Sequence, residues 1–161
     1  MGESQSDFQE CEVERLQSEE IEMSWPLKFI VPIKAQGKGR ARSAGKRHYT
    51  PTETVAFERM IANVARREMR ISKNEMLTGA VVLDVLTQFK PKGKNTIKDP
   101  CTVKPDASNV LKSVEDALNG VVYTDDKNIV QTGATKEYAH EDSILITVWP
   151  HSTPTLEELT E

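Results

Sequence analysis

The 161-residue sequence has little with which to staple or anchor itself, with two cysteines and no apolar run close to the roughly 20 residues that a membrane-spanning helix needs. Its longest apolar stretches, AVVLDVL from Ala80 and ILITVW from Ile144, suit buried strands, so no membrane partner is expected. Cys11 and Cys101 show neither CxxC spacing nor a neighbouring histidine cluster. That excludes a thiolate metal site and a disulfide framework, and it fits a reducing compartment. The amino terminus, MGESQSDFQE, lacks a basic start followed by an apolar stretch, so nothing marks it for secretion and a cytoplasmic location is expected. Internal repeats are absent. GKGR lacks the spacing and the Lys-Ser/Thr ending of a phosphate-binding loop, and no organic cofactor is implied.

Charge is present, but it is unevenly placed. Residues 1–24 hold eight acids against Arg15, and residues 150–161 add Glu157, Glu158 and Glu161. The net charge of -4 therefore describes the ends, and the body from 25 to 149 is basic. Such a body suits a polyanionic ligand, with acidic ends that screen wrong partners or serve solubility alone.

The chain reads as one domain over 25–149, between an acidic, flexible extension (1–24) and an acidic tail (150–161). WPLKFIVPI reads as a strand with Pro32 at its end or edge. KAQGKGRARSAGKRHYTP is basic and without periodicity, hence a loop. Thr52 is a candidate cap for a helix over 53–70, with Val55, Ile61, Val64 and Ala65 inward and Arg59, Arg66, Arg67 and Arg70 outward. A strand from Ala80, a second basic loop (KPKGKNTIKDP), a second helix and two strands joined around 139–142 complete the order β-α-β-α-β-β. This is an α+β domain with a mixed or antiparallel sheet and packed helices.

The segment KPDASNVLKSVEDALNGVVYTDD carries the chemistry. Val110, Val114, Ala117 and Leu118 recur at helical spacing, and Gly120 sits where a left-handed residue ends such a helix. Asp106 or Ser108 then caps its start, while Asp125 and Asp126 follow its end. Asp125 and Asp126 fit a surface turn, and Lys112 fits an ordinary pair with Asp116 four residues on. The alternative is that the chain reverses after Gly120 and returns both carboxylates towards Asp106. Three carboxylates from two segments would form a Mg²⁺ site, with hard oxygen ligands and positions left for water and phosphate.

These residues resemble the signature of RusA-type Holliday junction resolvases, approximately K-P-D-x-D-N-x-x-K, then D-A-L, N-G and D-D. FIVPIKAQGKGRARSAGKRHYTP resembles that family's opening as well, and the likeness runs in order over about 28–149. The resemblance implies a homodimeric, Mg²⁺-dependent endonuclease, with Mn²⁺ as a possible substitute. Its substrate would be branched DNA, a four-way junction cut by paired symmetric nicks that leave a 5′-phosphate and a 3′-hydroxyl. It also implies a bacterial host, with a phage or prophage gene as one source. By position, Asp106 matches the first metal-binding Asp, Lys112 the essential Lys, and Asp126 the distal catalytic Asp with Asp125 beside it. Ser108 departs from the pattern, which has Asp there. Losing that ligand weakens a Mg²⁺ site unless a serine-held water or Asp125 fills the gap, so a weakened or inactive junction-binding protein is the alternative.

Lys38, Arg40, Arg42, Lys46 and Arg47 in the first basic loop, with Lys92, Lys94 and Lys104 in the second, are the candidate nucleic-acid contacts. Basic loops are often merely solvated. Two of them beside a phosphodiester site match the phosphate neutralisation that dominates DNA affinity.

Overall fold

The computed structural model describes residues 25–39, 42–44, 47–49 and 51–152. The terminal segments 1–24 and 153–161, on which the flexible extension and most of the acidic tail were expected, lie outside the described residues. The strands are β1 (Leu27–Val31), β2 (Arg42–Ala44), β3 (Arg47–Tyr49), β4 (Val81–Phe89), β5 (Ile129–Tyr138) and β6 (Ser143–Pro150). Helix α1 spans Thr52–Ile71 and α2 spans Ala107–Leu118, and a short 3₁₀ turn, Asp126–Asn128, precedes β5. A four-stranded mixed sheet has the order β1-β6-β4-β5, with β4 and β5 parallel and the other pairs antiparallel. This is the α+β architecture that the sequence implied.

Strand β4 alternates Val81, Leu83, Val85 and Phe89 towards the core, where they meet Phe29 and Val31 of β1 and Ile144, Ile146 and Val148 of β6. Both helices cover this one side of the sheet. In α2, Val110, Val114, Ala117 and Leu118 are buried, as their spacing predicted, and Val110, Val114 and Leu118 each contribute about 1.5–3 kcal/mol by leaving water. Gly120 follows α2 at φ +74°, a backbone shape that costs glycine little and an L side chain much more.

Three expectations need correcting. The first basic loop contains a two-stranded antiparallel ladder, β2 with β3, so the predicted order lacks a hairpin. Thr52 is not a cap: Pro51 holds that position with φ -55° and ψ 140°, no side chain caps the helix, and Thr52 is already helical. Val55 is 39% exposed, whereas Ile61 and Ala65 are buried and Val64 half-buried as expected, with Thr54, Phe57 and Met69 completing the inward face. Arg59, Arg66, Arg67 and Arg70 do face solvent.

The strands β5 and β6, though consecutive, are not neighbours. Residues 139–142 carry the chain across the end of β4, where Ala139 N–H donates to Phe89 O (2.9 Å) and Lys90 N–H donates to Asp142 Oδ1 (2.9 Å).

Candidate active site

Helix α2 starts at Asp106, which occupies the N-cap position in extended geometry without donating or accepting a side-chain cap bond. Its backbone carbonyl takes the N–H groups of Asn109 (3.0 Å) and Val110 (3.2 Å), so the helix starts without its carboxylate. Asp106, Ser108 and Lys112 are all exposed. The carboxylate stands at the positive end of the helix dipole.

Two loops run beside this end. Lys38 N–H donates to Asn109 O (3.3 Å), and a Cβ on Gly37 would come within 3.0 Å of Pro105 Cβ. The absent side chain lets the first basic loop lie against the helix. From β5, the Lys136 ammonium donates to Val103 O (2.6 Å) and Pro105 O (3.2 Å), which ties the segment feeding α2 to the sheet. The second basic loop is held in shape by Asn95 Nδ2 donating to Tyr138 OH (2.9 Å) and by Thr96 N–H donating to Asp99 Oδ2 (2.6 Å). Its Lys92 and Lys94, with Lys104 further along, are exposed. Arg42 and Arg47 lie on the β2–β3 ladder, and Arg40 and Lys46 fall outside the described residues.

The C-terminal half of α2 is a different environment. Lys38 forms an ion pair with Asp116, which raises the lysine pKa, and Glu58 and Asp126 add to the effect. Lys112 therefore does not hold Asp116 as an i+4 partner. Burial, and next the Asp116 charge, push the Glu58 and Glu115 carboxyls up, and Asp126 adds to the shift at Glu115. Tyr123 is fully buried and donates its hydroxyl to Glu115 O (2.8 Å); burial foremost, then the nearby acids, raise its pKa. Glu58 Oε1 is buried without a hydrogen-bond partner. A crevice of about 390 Å³ between the helices is lined here by Glu58, Arg59, Arg66, Asp116 and Asn119.

Asp106 precedes α2 in the chain, and Asp125 and Asp126 follow it. Asp126 acts on Lys38, Glu115 and Tyr123, while Asp106 lies nine residues before Glu115, roughly 14 Å along the helix axis. Asp125 accepts from Lys127 N–H (3.1 Å) and pairs with its ammonium (3.3 Å); these contacts cap the 3₁₀ turn and hold the carboxyl below the usual range. Among the described residues, no group of three or more histidine, cysteine or acidic side chains could hold a metal ion.

The sequence model of the family described as Endodeoxyribonuclease RusA matches residues 31–149. The chain belongs to that family. Its span takes in the last residue of β1, β2 through β5, all but the last residue of β6, both basic loops and both helices. The chain is also 29% identical, over 138 residues, to the "Uncharacterized protein YqaN" of Bacillus subtilis (strain 168), a match covering 76% of this chain and 94% of that protein. Membership of the RusA family makes a junction-resolving endonuclease the class of activity, with branched DNA as its target. Among the described residues, no helix is long and apolar enough to cross a membrane. Sequence reading passed over Glu58, Glu115 and Lys136, and it noted Asp116 only as a partner for Lys112. The Lys38–Asp116 contact spans 78 residues, beyond the reach of local pattern.

Proposed function

We propose that this protein binds four-way DNA junctions as a homodimer and resolves them by symmetric, metal-dependent hydrolysis, with Asp106, Lys112 and Asp126 as its catalytic groups. The observation that carries the reading is the RusA match taken together with an exposed Asp106, Ser108 and Lys112 between two lysine-rich loops. Exposed lysines here offer phosphate contacts, and Lys112, unpaired among the described residues, can meet charge developing on a phosphate. A Mg²⁺ or Mn²⁺ ion belongs to the reading through the family. Asp106 and Asp126 are the carboxylates that would hold it.

The alternative is a junction-binding protein with weakened cleavage, and Ser108 is what favours it: a hydroxyl stands where the family pattern supplies a carboxylate. Junction cleavage by this chain and by Ser108→Asp, each in Mg²⁺ and in Mn²⁺, separates the two. The nuclease reading expects cleavage that rises in Ser108→Asp and is strongest in Mn²⁺ for the unsubstituted chain. Tight junction binding with no cleavage by either protein establishes the alternative. Equal affinity for a junction and for linear duplex of the same length sinks both.

A further inference from the structure

Strand β5 forms one edge of the main sheet, and two of its side chains reach across to the segment that leads into α2. Lys136 and Tyr138 are two residues apart, so pleating sends both to the same face, the one on which Tyr138 joins the core. Tyr138 OH accepts from Asn95 Nδ2 (2.9 Å), while the Lys136 ammonium donates to Val103 O (2.6 Å) and Pro105 O (3.2 Å). The segment between β4 and α2 is thus gripped at two points, and the second lies one peptide from Asp106. Lys136 joins no ion pair among the described residues. Two of its three donors hold backbone carbonyls, although water could satisfy such groups at a partly open edge. A lysine reaching from another strand adds what water cannot, a fixed distance between that peptide and the sheet.

The Asp106 carboxylate takes no part in capping the helix, so its place follows from the backbone that carries it. On the other flank, Gly37 lies against Pro105, where an added Cβ would come within 3.0 Å of Pro105 Cβ. Pro105 is therefore held between the first basic loop and β5, and Lys136 is the polar half of that clamp. We propose that Lys136 is a positioning residue for cleavage: it sets the height of Asp106 over the sheet and so aims the carboxylate at the reacting phosphodiester. The proposal rests on the nuclease reading above and adds a residue to it. Misplacing a reacting group by about 1 Å can cost on the order of a hundredfold in rate, so loss of a two-bond tether at the neighbouring peptide acts on turnover. Binding is less affected, because Lys92 and Lys94 lie on the part of the loop that Asn95 and Tyr138 hold.

Cleavage of a four-way junction by the full chain, with protein in excess so that binding and chemistry separate, tests this in Lys136→Met and Lys136→Arg. The rate at saturation should fall roughly ten- to a hundredfold in Lys136→Met. Junction affinity, read by fluorescence anisotropy, should stay close to that of the unsubstituted chain. Lys136→Arg keeps the charge and the donors and should recover most of the lost rate. Tyr138→Phe releases Asn95 and leaves the tether beside Asp106, so its rate should fall less than that of Lys136→Met. Thermal melting confirms that each variant is folded at the assay temperature; where Lys136→Met is not, Lys136→Gln takes its place with the same expectations. An unchanged rate in Lys136→Met overturns the proposal and leaves the nuclease reading intact. Equal losses in Lys136→Met and Lys136→Arg, or in Lys136→Met and Tyr138→Phe, overturn it as well, because the effect then belongs to packing or to the loop as a whole. Weaker binding at an unchanged saturating rate makes Lys136 a DNA contact and overturns it too. An unsubstituted chain that binds junctions without cutting them removes the nuclease reading and this role together.

Discussion

At the start of α2, Asp106, Ser108 and Lys112 stand exposed, and their side chains join no hydrogen bond or ion pair among the described residues. Two turns further on, Glu115 and Asp116 are packed with Lys38, Glu58, Asp126 and Tyr123, and four of these six groups have raised pKa values. Perturbed titration usually draws attention as a sign of function, yet ion-pair networks that only hold a fold produce it too. Here the quiet end has the geometry to meet an external ligand, while the perturbed end, the exposed Asp126 apart, has already satisfied much of its charge from within. Local strength of interaction is therefore a poor guide to which end does chemistry.

The most forceful way to break this contrast is Asp106→Asn. Junction cleavage should fall on the order of a hundredfold or more, as for loss of a group acting directly on the reaction. Stability should stay within about 0.5 kcal/mol, because the carboxylate makes no contact in the folded chain. Thermal melting and a cleavage time course read both. A large loss of stability with cleavage retained would reverse the roles assigned to the two ends.

Next in size is Tyr123→Phe, which removes the hydroxyl donated to Glu115 O. The expected cost is about 1 kcal/mol, or a Tm lower by about 2–4 °C, with cleavage hardly altered. A sharp drop in turnover at unchanged stability would show that the buried groups beside Asp126 take part in the reaction as well.

Helix α2 could be read from the sequence because its apolar residues recur on one face and Gly120 ends it; strands β4 and β6 could be read from apolar runs of the right length. The β2–β3 ladder could not, since RSAGKRHY has no alternation of apolar and polar residues to mark a pleat. Thr52 was read as a cap on residue type, but the fixed ring of Pro51 sets the helix entry one position earlier. The charges at the C-terminal half of α2 were legible one by one and not as a group. Their grouping depends on Lys38, Glu58, Asp116 and Asp126 arriving from four separate segments, and a helix face of acids otherwise looks like ordinary solvated surface.

Two smaller effects sharpen the picture through pH. In Lys38→Met the partner of Asp116 is lost, and the partial exposure of both side chains limits the cost to about 0.5 kcal/mol. Lys38 has a raised pKa when folded, so its contribution is complete below the ordinary value of 10.5 and disappears as pH rises through the folded value. Melting curves of the two proteins should be separated at pH 7 and converge in strong alkali. Glu115→Gln should have the smallest effect, in the opposite direction. The folded chain holds this proton more tightly than the unfolded chain does, so ionisation costs stability as pH rises from the ordinary 4.5. The variant should melt slightly higher than the unsubstituted protein at pH 7, and that advantage should vanish below pH 4.5.

The pairing of β1 with β6 sets Leu27 against Val148, so the first and last strands of the described chain lie side by side. Trp25 and Ser152 line one groove, which places the two ends of the described body close together. The domain is thus nearly circular in connectivity. A short linker between those ends, with new termini opened at the exposed turn around Gly93, should leave every strand neighbour in place. Such a permutant would also shorten the loop that must close before β1 meets β6, and it should fold faster than the natural order, in which that closure spans most of the domain.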